Sequence, residues 1–196
     1  MAQIRQACAK DAAAMLEVLK QYIETPITLE YELPSVSEME QKITSVSKNY
    51  PFIVIENENG IIGYAYAKGE PQRQGVCWNA ELCAFIKLNQ RGHHYGTAVM
   101  RVLIDILRLQ NVRNVYSSVT EGNPRSDSLH RRLGFSYCGV LHKTAFKNGR
   151  WLDVELLEKR ISDEDFAKEP EAFIPVSDLD KSAVDEILNR KLEDLI

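Results

Sequence analysis

No stretch of this 196-residue chain approaches the ~20 consecutive apolar residues that a membrane-spanning helix needs. The opening Met1-Ala2-Gln3-Ile4-Arg5 has no apolar signal core, so export is not expected. Cysteine is sparse: Cys8, Cys77, Cys83 and Cys138 are scattered, without a Cys-x-x-Cys pair or a histidine at zinc-ligand spacing. They read as buried, reduced thiols of a cytoplasmic protein, and no metal is expected. Internal repeats and low-complexity tracts are missing too. Charge of one sign is also lacking, because 24 basic and 28 acidic residues leave a net of −4. The balance is uneven along the chain. Residues 162–196 carry eleven acids and four bases, so residues 1–161 carry 17 acids and 20 bases. A mildly basic body suits a phosphorylated ligand, but it falls well short of the basic stripe that nucleic acid demands. We read one domain over 1–161 and an acidic extension over 162–196.

What is present is best read from Trp78 to Met100. Leu82, Ala84, Ile86 and Leu88 share one parity, and Cys83, Phe85 and Lys87 the other, which predicts a strand. A polar turn, Asn89-Gln90-Arg91-Gly92, interrupts it. Ala98, Val99, Val102, Leu103, Ile106 and Leu107 then recur at helical spacing. A strand that turns into a helix N-terminus makes an anion cradle. The first N–H groups of the helix have no internal partners, and the helix dipole adds positive potential there. Arg91 adds a full charge, so a phosphate-bearing ligand is the first hypothesis.

Arg91-Gly92-His93-His94-Tyr95-Gly96-Thr97 resembles the Arg/Gln-x-x-Gly-x-Gly/Ala pyrophosphate loop of the GNAT N-acetyltransferases, whose ligand is acetyl-CoA. His94 departs from the pattern, standing where that family usually has its first glycine. Downstream, Asn123-Pro124-Arg125-Ser126 with His130 and Leu133-Gly134-Phe135 resembles the second family signature. Five further stretches are similar to the phosphinothricin-type N-acetyltransferases: Tyr22–Thr25, Gly63–Ala67, Trp78–Glu81, Leu129-His130 and Lys147–Val154. The resemblance runs from about Ile4 to Ile161.

In order, the chain predicts a short first strand at Gln3–Ala7 and a helix capped by Asp11 with Met15, Leu16, Leu19 and Ile23 on one face. A second helix starts at the Ser35-x-x-Glu38 capping box. Phe52–Ile55 and Ile61–Ala67 predict a hairpin. Val112–Val119 follows as a strand, and a short helix carries Ser126, Leu129, His130 and Leu133 up to Gly134. A closing hairpin spans Phe135–Leu157. Val184, Ile187, Leu188, Lys191, Leu192 and Leu195 predict an amphipathic helix within Ser177–Ile196, docked on the body or on a second subunit. The order is that of an α+β fold around one mixed sheet with helices on both faces. The resemblance implies in addition that the strands ending near Leu88 and Thr120 splay apart. The pantetheine arm would lie between them, against the backbone of Ala84, Phe85 and Ile86, with Arg91 to Thr97 on the phosphates.

Several residues admit two readings. Glu81, the acid in an otherwise apolar strand, is either an edge charge facing water or the carboxylate that takes a proton from an attacking amine. The resemblance implies the second. His130 is either a half-buried helix histidine or the group matching a family tyrosine that protonates the departing thiolate; a role in removing the amine proton stays open. Asn123 is a turn residue or a cofactor contact. Ser126 reads as an N-cap, with cofactor contact as the alternative. Arg73 is a solvated loop residue or a bidentate hold on an acidic group of the substrate. Trp78 is core or part of a substrate pocket.

Taken together, the resemblance implies an acetyl-CoA-dependent N-acetyltransferase acting on the primary amine of a small amino-acid-like molecule, of the phosphinothricin or methionine sulfoximine kind. The resemblance also implies a homodimer. Loops 25–34 and 69–76 would cover its pocket. A protein or peptide N-acetyltransferase, and a non-catalytic acetyl-CoA-binding module, are the alternatives.

Overall fold

A computed structural model describes residues 2–162 and 167–196; Met1 and residues 163–166, part of the acidic stretch counted above, lie outside the described residues. The elements are β1 (Gln3–Gln6), α1 (Ala12–Leu19), α2 (Val36–Val46), β2 (Phe52–Asn57), β3 (Gly60–Lys68) and β4 (Asn79–Ile86). After them come α3 (Tyr95–Leu109), β5 (Asn114–Thr120), α4 (Pro124–Arg132), β6 (Ser136–Lys147), β7 (Arg150–Arg160) and α5 (Lys181–Leu188). One seven-stranded sheet has the order β1-β2-β3-β4-β5-β7-β6. All neighbours are antiparallel except β4 and β5, which run parallel.

Helices cover both faces, and strand parity sorts the core between them. Ile53, Ile55, Ala65, Ala80 and Leu82 face α3, where Val99, Leu103, Ile106 and Leu107 are buried. Phe52, Val54, Tyr64 and Tyr66 face α1 and α2, with Met15, Leu19, Met39 and Ile43. Covering β2 and β3 on both sides makes them near-continuous apolar runs rather than alternating ones. Gly63 is fixed by packing: a Cβ there would lie 2.4 Å from Ile86 Cδ1 and 2.8 Å from the Phe85 carbonyl.

Local chemistry sets the helix ends. Ser35 and Glu38 form the capping box: Ser35 Oγ accepts from Glu38 N–H (3.2 Å), and Glu38 accepts from Ser35 N–H (2.7 Å). Asp11 departs from expectation. It stands at the N-cap of α1, but its carboxylate accepts from Cys8 N–H at 2.8 Å and pairs with Arg5, stitching β1 to α1 rather than bonding the first turn of the helix. Arg5 holds that carboxyl below the usual carboxylate range, with burial opposing.

The C-terminal stretch also differs. The helix predicted within 177–196 is only α5, followed by a 3-10 turn at Leu192–Leu195. Val184, Leu188 and Leu195 are buried in the core beside α3. Arg190 pairs with Asp105 at 2.6 Å, and Asn111 donates to the Ala172 carbonyl at 2.8 Å. Gln110, fully buried, donates to the carbonyls of Asn49 (2.6 Å) and Ile174 (2.8 Å). The tail is thus a strap along α3, on the protein's own body. Two of the cysteines expected inside, Cys8 and Cys138, are exposed.

Candidate active site

The parallel strands β4 and β5 pair only at Asn79–Asn114, Ala80–Val115 and Glu81–Tyr116. Beyond that, Ser117 Oγ reaches the Leu82 carbonyl at 3.5 Å, and the strands diverge. Lys87 N–H donates to the Ile62 carbonyl at 2.8 Å. By antiparallel alternation from that bond, the peptide groups of Glu81, Cys83 and Phe85 turn toward β3. Those of Leu82, Ala84 and Ile86 turn into the gap. The Ile86 carbonyl accepts from the Tyr22 hydroxyl, which leaves Ala84 with both its N–H and C=O at the open edge.

A cavity of about 590 Å³ opens from this gap, within the size range of small-ligand sites. Ala84 and Ile86 line it, as do Arg91, Gly92, His94, Tyr95, Gly96 and Thr97 of the predicted phosphate loop. Asn123 and Ser126 reach it from α4. Two expected contacts are not in its walls. Phe85 points to the other face of the sheet, packing on Tyr64 (5.3 Å between centroids) and Tyr22 (5.4 Å), and its N–H turns toward β3. His93 stacks beside Tyr95 at 5.5 Å.

The loop owes its shape to two left-handed residues, Gly92 (φ 91°) and His94 (φ 59°). Glycine adopts that region freely; histidine pays a steric penalty there. His94 immediately precedes α3, so the free N–H groups of the first turn open beside it. Arg91 lies over the Tyr22 ring at 5.3 Å. Arg125 and Arg132 stand on the same cavity wall, and Arg132 Nη1 donates to His94 Nδ1 at 2.6 Å. Arg132 carried no signal in the sequence, and Tyr22 only its place in the Tyr22–Thr25 resemblance, because both act across long chain separations.

At α4 the cap falls on Asn123 and not, as expected, on Ser126. Asn123 Oδ1 accepts from Ser126 N–H at 3.3 Å, making Asn123 the N-cap with Pro124 at the first helical position. Ser126 Oγ lies 3.2 Å from His130 Nδ1. His130 is buried behind this wall rather than in it, 5% exposed and edge-on to Phe135 at 4.9 Å. Its Nδ1 is 2.8 Å from the Ser126 carbonyl, which only accepts, so Nδ1 carries the proton. Nε2 is then a buried lone pair, with no partner among the described residues. Burial pushes the ring's pKa down, against the Ser126 carbonyl bond and the charge of Asp127.

A second cavity, about 450 Å³, lies around the start of β4 and is lined by Lys68, Glu70, Arg73, Asn79, Glu81 and Tyr116, among others. It brings together Glu81 and Arg73, predicted separately from sequence. Lys68, a residue not singled out from sequence, pairs with Glu81 at 3.0 Å. Burial works against the Lys68 ammonium, but the Glu81 bond and neighbouring negative charge outweigh it, so its pKa is raised. Arg73 pairs with Glu70 at 2.7 Å. Trp78 is not in the wall; its Nε1 donates to the Glu171 carbonyl at 2.6 Å and holds the strap. Among the described residues, no group of three or more His, Cys, Asp or Glu is placed to hold a metal, and no helix is long and apolar enough to cross a membrane.

Splayed parallel strands, a helix N-terminus facing the gap and an arginine-lined cavity define an acyl-CoA-type site, and sequence comparison agrees. The family model for the acetyltransferase (GNAT) domain matches residues 4–156. This chain belongs to that family, and it is an N-acetyltransferase by class. A phosphinothricin N-acetyltransferase of Streptomyces viridochromogenes is 28% identical over 153 residues, 78% of this chain and 84% of the relative. An L-methionine sulfoximine/L-methionine sulfone acetyltransferase of Pseudomonas aeruginosa is 32% identical over 117 residues, 59% of this chain and 67% of the relative. Among solved structures, a phosphinothricin acetyltransferase from Sinorhizobium meliloti in complex with AcCoA superposes with a TM-score of 0.80 at 29% identity. It covers 87% of this chain and 93% of that one.

Proposed function

We propose that the protein transfers the acetyl group of acetyl-CoA to the primary amine of a small amino-acid-like molecule. The carrying observation is the parting of β4 and β5 just beyond Glu81 and Tyr116, with the 590 Å³ cavity opening from the gap and the 450 Å³ cavity around Glu81. The residues fit acetyl-CoA: Ala84 offers an amide and a carbonyl to an extended chain, and α3 and the arginines offer donors to phosphates. When bound, acetyl-CoA supplies an activated acyl carbon. The amine nitrogen forms a bond to that carbon, and the carbon–sulfur bond breaks.

The amine must first lose a proton, and Glu81 is the acceptor we assign. Lys68 holds its carboxylate at 3.0 Å on the cavity wall. Arg73 lines the same cavity, paired with Glu70, and its fork is the group we assign to an acidic function of the amine, which would take the place of that carboxylate. His130 lies buried behind the cavity wall with its proton on Nδ1, so we assign it to positioning Ser126 and the α4 wall, not to protonating the thiolate. Ala84, not Phe85, provides the peptide N–H turned toward the gap.

We also place the protein in the cytoplasm, since exposed Cys8 and Cys138 suit a reducing compartment. A homodimer is supported by the exposed Tyr137, Leu141, Phe146 and Trp151 of the β6–β7 hairpin. Thiol release from acetyl-CoA, measured over a panel of free amino acids, their acidic analogues and peptides, tests the function. Turnover confined to small amines with an acidic group is expected. Turnover with peptides alone, or none with any amine, would refute it.

A further inference from the structure

We infer that His94 and Arg132 form a clip for the pyrophosphate of acetyl-CoA, with Arg132 as the binding residue and His94 as the residue that positions it. The inference rests on the acetyl-CoA reading above. His94 occupies a left-handed backbone site (φ 59°) that a glycine would fill without strain. A Cβ-bearing residue held in that region calls for a compensating contact. His94 has one. Its Nδ1 accepts from Arg132 Nη1 at 2.6 Å, joining the residue before α3 to the last residue of α4, 38 positions away.

A guanidinium has five N–H donors and no acceptor, so this bond fixes the direction of the contact and leaves Arg132 further donors. No carboxylate pairs with Arg132 among the described residues, nor with Arg91 or Arg125, although all three line the same cavity. Three guanidinium groups on one cavity wall give it a positive lining that suits an anionic ligand. His94 holds the Arg132 fork beside the free N–H groups of the first turn of α3, so both sets of donors converge on one anion. His94 thus takes over by side chain what glycine provides by absence of one. It gives up close backbone approach and adds an oriented cation.

Calorimetric titration with CoA and with 3′-dephospho-CoA tests this, using the parent, Arg132→Met, His94→Gly and the double variant. His94 and Arg132 are both exposed, and melting curves check that each variant is folded. Arg132→Met is expected to weaken both ligands by about ten- to a hundredfold, the usual loss for a charged hydrogen bond. His94→Gly should weaken binding by less, and the double variant should bind about as Arg132→Met does, because His94 acts through Arg132. Equal affinity in parent and Arg132→Met, tighter binding in His94→Gly, or additive losses would each overturn the clip. Loss for CoA but not for 3′-dephospho-CoA would overturn it too, by assigning Arg132 to the 3′-phosphate. A parent that binds neither ligand would bring down the acetyl-CoA reading and the clip with it; a parent that binds normally beside unaffected variants would bring down the clip alone.

Discussion

Lys147 Nζ donates to the Thr28 carbonyl at 2.6 Å, across 119 residues of chain, and to the Glu30 carbonyl at 2.7 Å. Residue 147 is only 3% exposed, and burial pushes its ammonium pKa down. One cation therefore fastens the loop after α1 to the tip of the β6–β7 hairpin. Asn148 Nδ2 adds a bond to the Glu24 carbonyl at 3.1 Å. The negative charge of Glu30 also favours the ammonium of Lys68, the partner of Glu81. Lys147→Met should loosen the loop. We expect KM for the amine to rise and proteolysis within 27–34 to quicken, with the dissociation constant of CoA unchanged. An unaltered KM and cleavage rate would show that the loop holds itself.

Glu81 and Lys68 make a sharper test of the chemistry. Glu81→Gln removes the proton acceptor and should cut kcat/KM by ~10²–10⁴, with partial recovery at high pH where free amine is already populated. Lys68→Met removes the cation that holds this carboxylate in place and should lower kcat/KM by less than Glu81→Gln does. Adding Lys68→Met to Glu81→Gln should cost no further rate, because Lys68 acts through Glu81. Turnover at the parental rate in Glu81→Gln would remove Glu81 from the reaction.

His130 links acidity to stability. Its folded pKa lies below the ordinary value near 6.5, so the unfolded chain binds more protons as pH falls through that region. Its contribution is fully present above about 6.5 and is lost as pH drops toward the folded value. Asp11, lowered from 3.8, acts only in more acid solution and leaves the window clear. Urea unfolding at pH 7.5 and pH 5 should therefore show a smaller loss for His130→Phe than for the parent. Equal losses would mean that the imidazole titrates freely.

The strap gives a prediction on stability alone. Leu188 is 7% exposed in the core beside α3, and Leu188→Ala should destabilise the protein by about 2–5 kcal/mol. The strap meets α3 between Arg101 and Asn111, away from the Tyr95 end that faces the cavity. CoA affinity should stay at the parental value in conditions where the variant remains folded. Weakened CoA binding by folded Leu188→Ala would show that the strap reaches the cofactor site.

Much of the frame could be read in advance because it is written locally. Strand parity from Leu82 to Leu88, the helical spacing from Ala98 to Leu107 and the Ser35–Glu38 box each lie within a few turns of chain. Pro124 even carried the signal that Asn123, not Ser126, would cap α4, since proline favours the first helical position. Hidden from sequence were contacts that only folding makes: Tyr22 on the Ile86 carbonyl, Arg132 on His94, Lys68 on Glu81. Parity placed Phe85 on the strand but could not say which neighbour its N–H would face; that needed the register with β3. The last helix was drawn too long because apolar spacing continues past Leu188, through Leu192 and Leu195, while the backbone turns and re-enters as a 3-10 turn.

The splay of β4 from β5 also bears on solubility. Unpaired strand edges usually lie at the rim of a sheet, where any other chain can add to them and seed aggregation. Here the bare amide of Ala84 lies in mid-sheet, in a slot that narrows to ordinary strand spacing at Glu81–Tyr116. An incoming β-strand carries side chains on both faces and needs the full width of a strand position. A slender, unbranched amide chain with no side chains does not. The wedge thus acts as a gauge of thickness, keeping reactive backbone available to a small molecule while withholding it from other proteins.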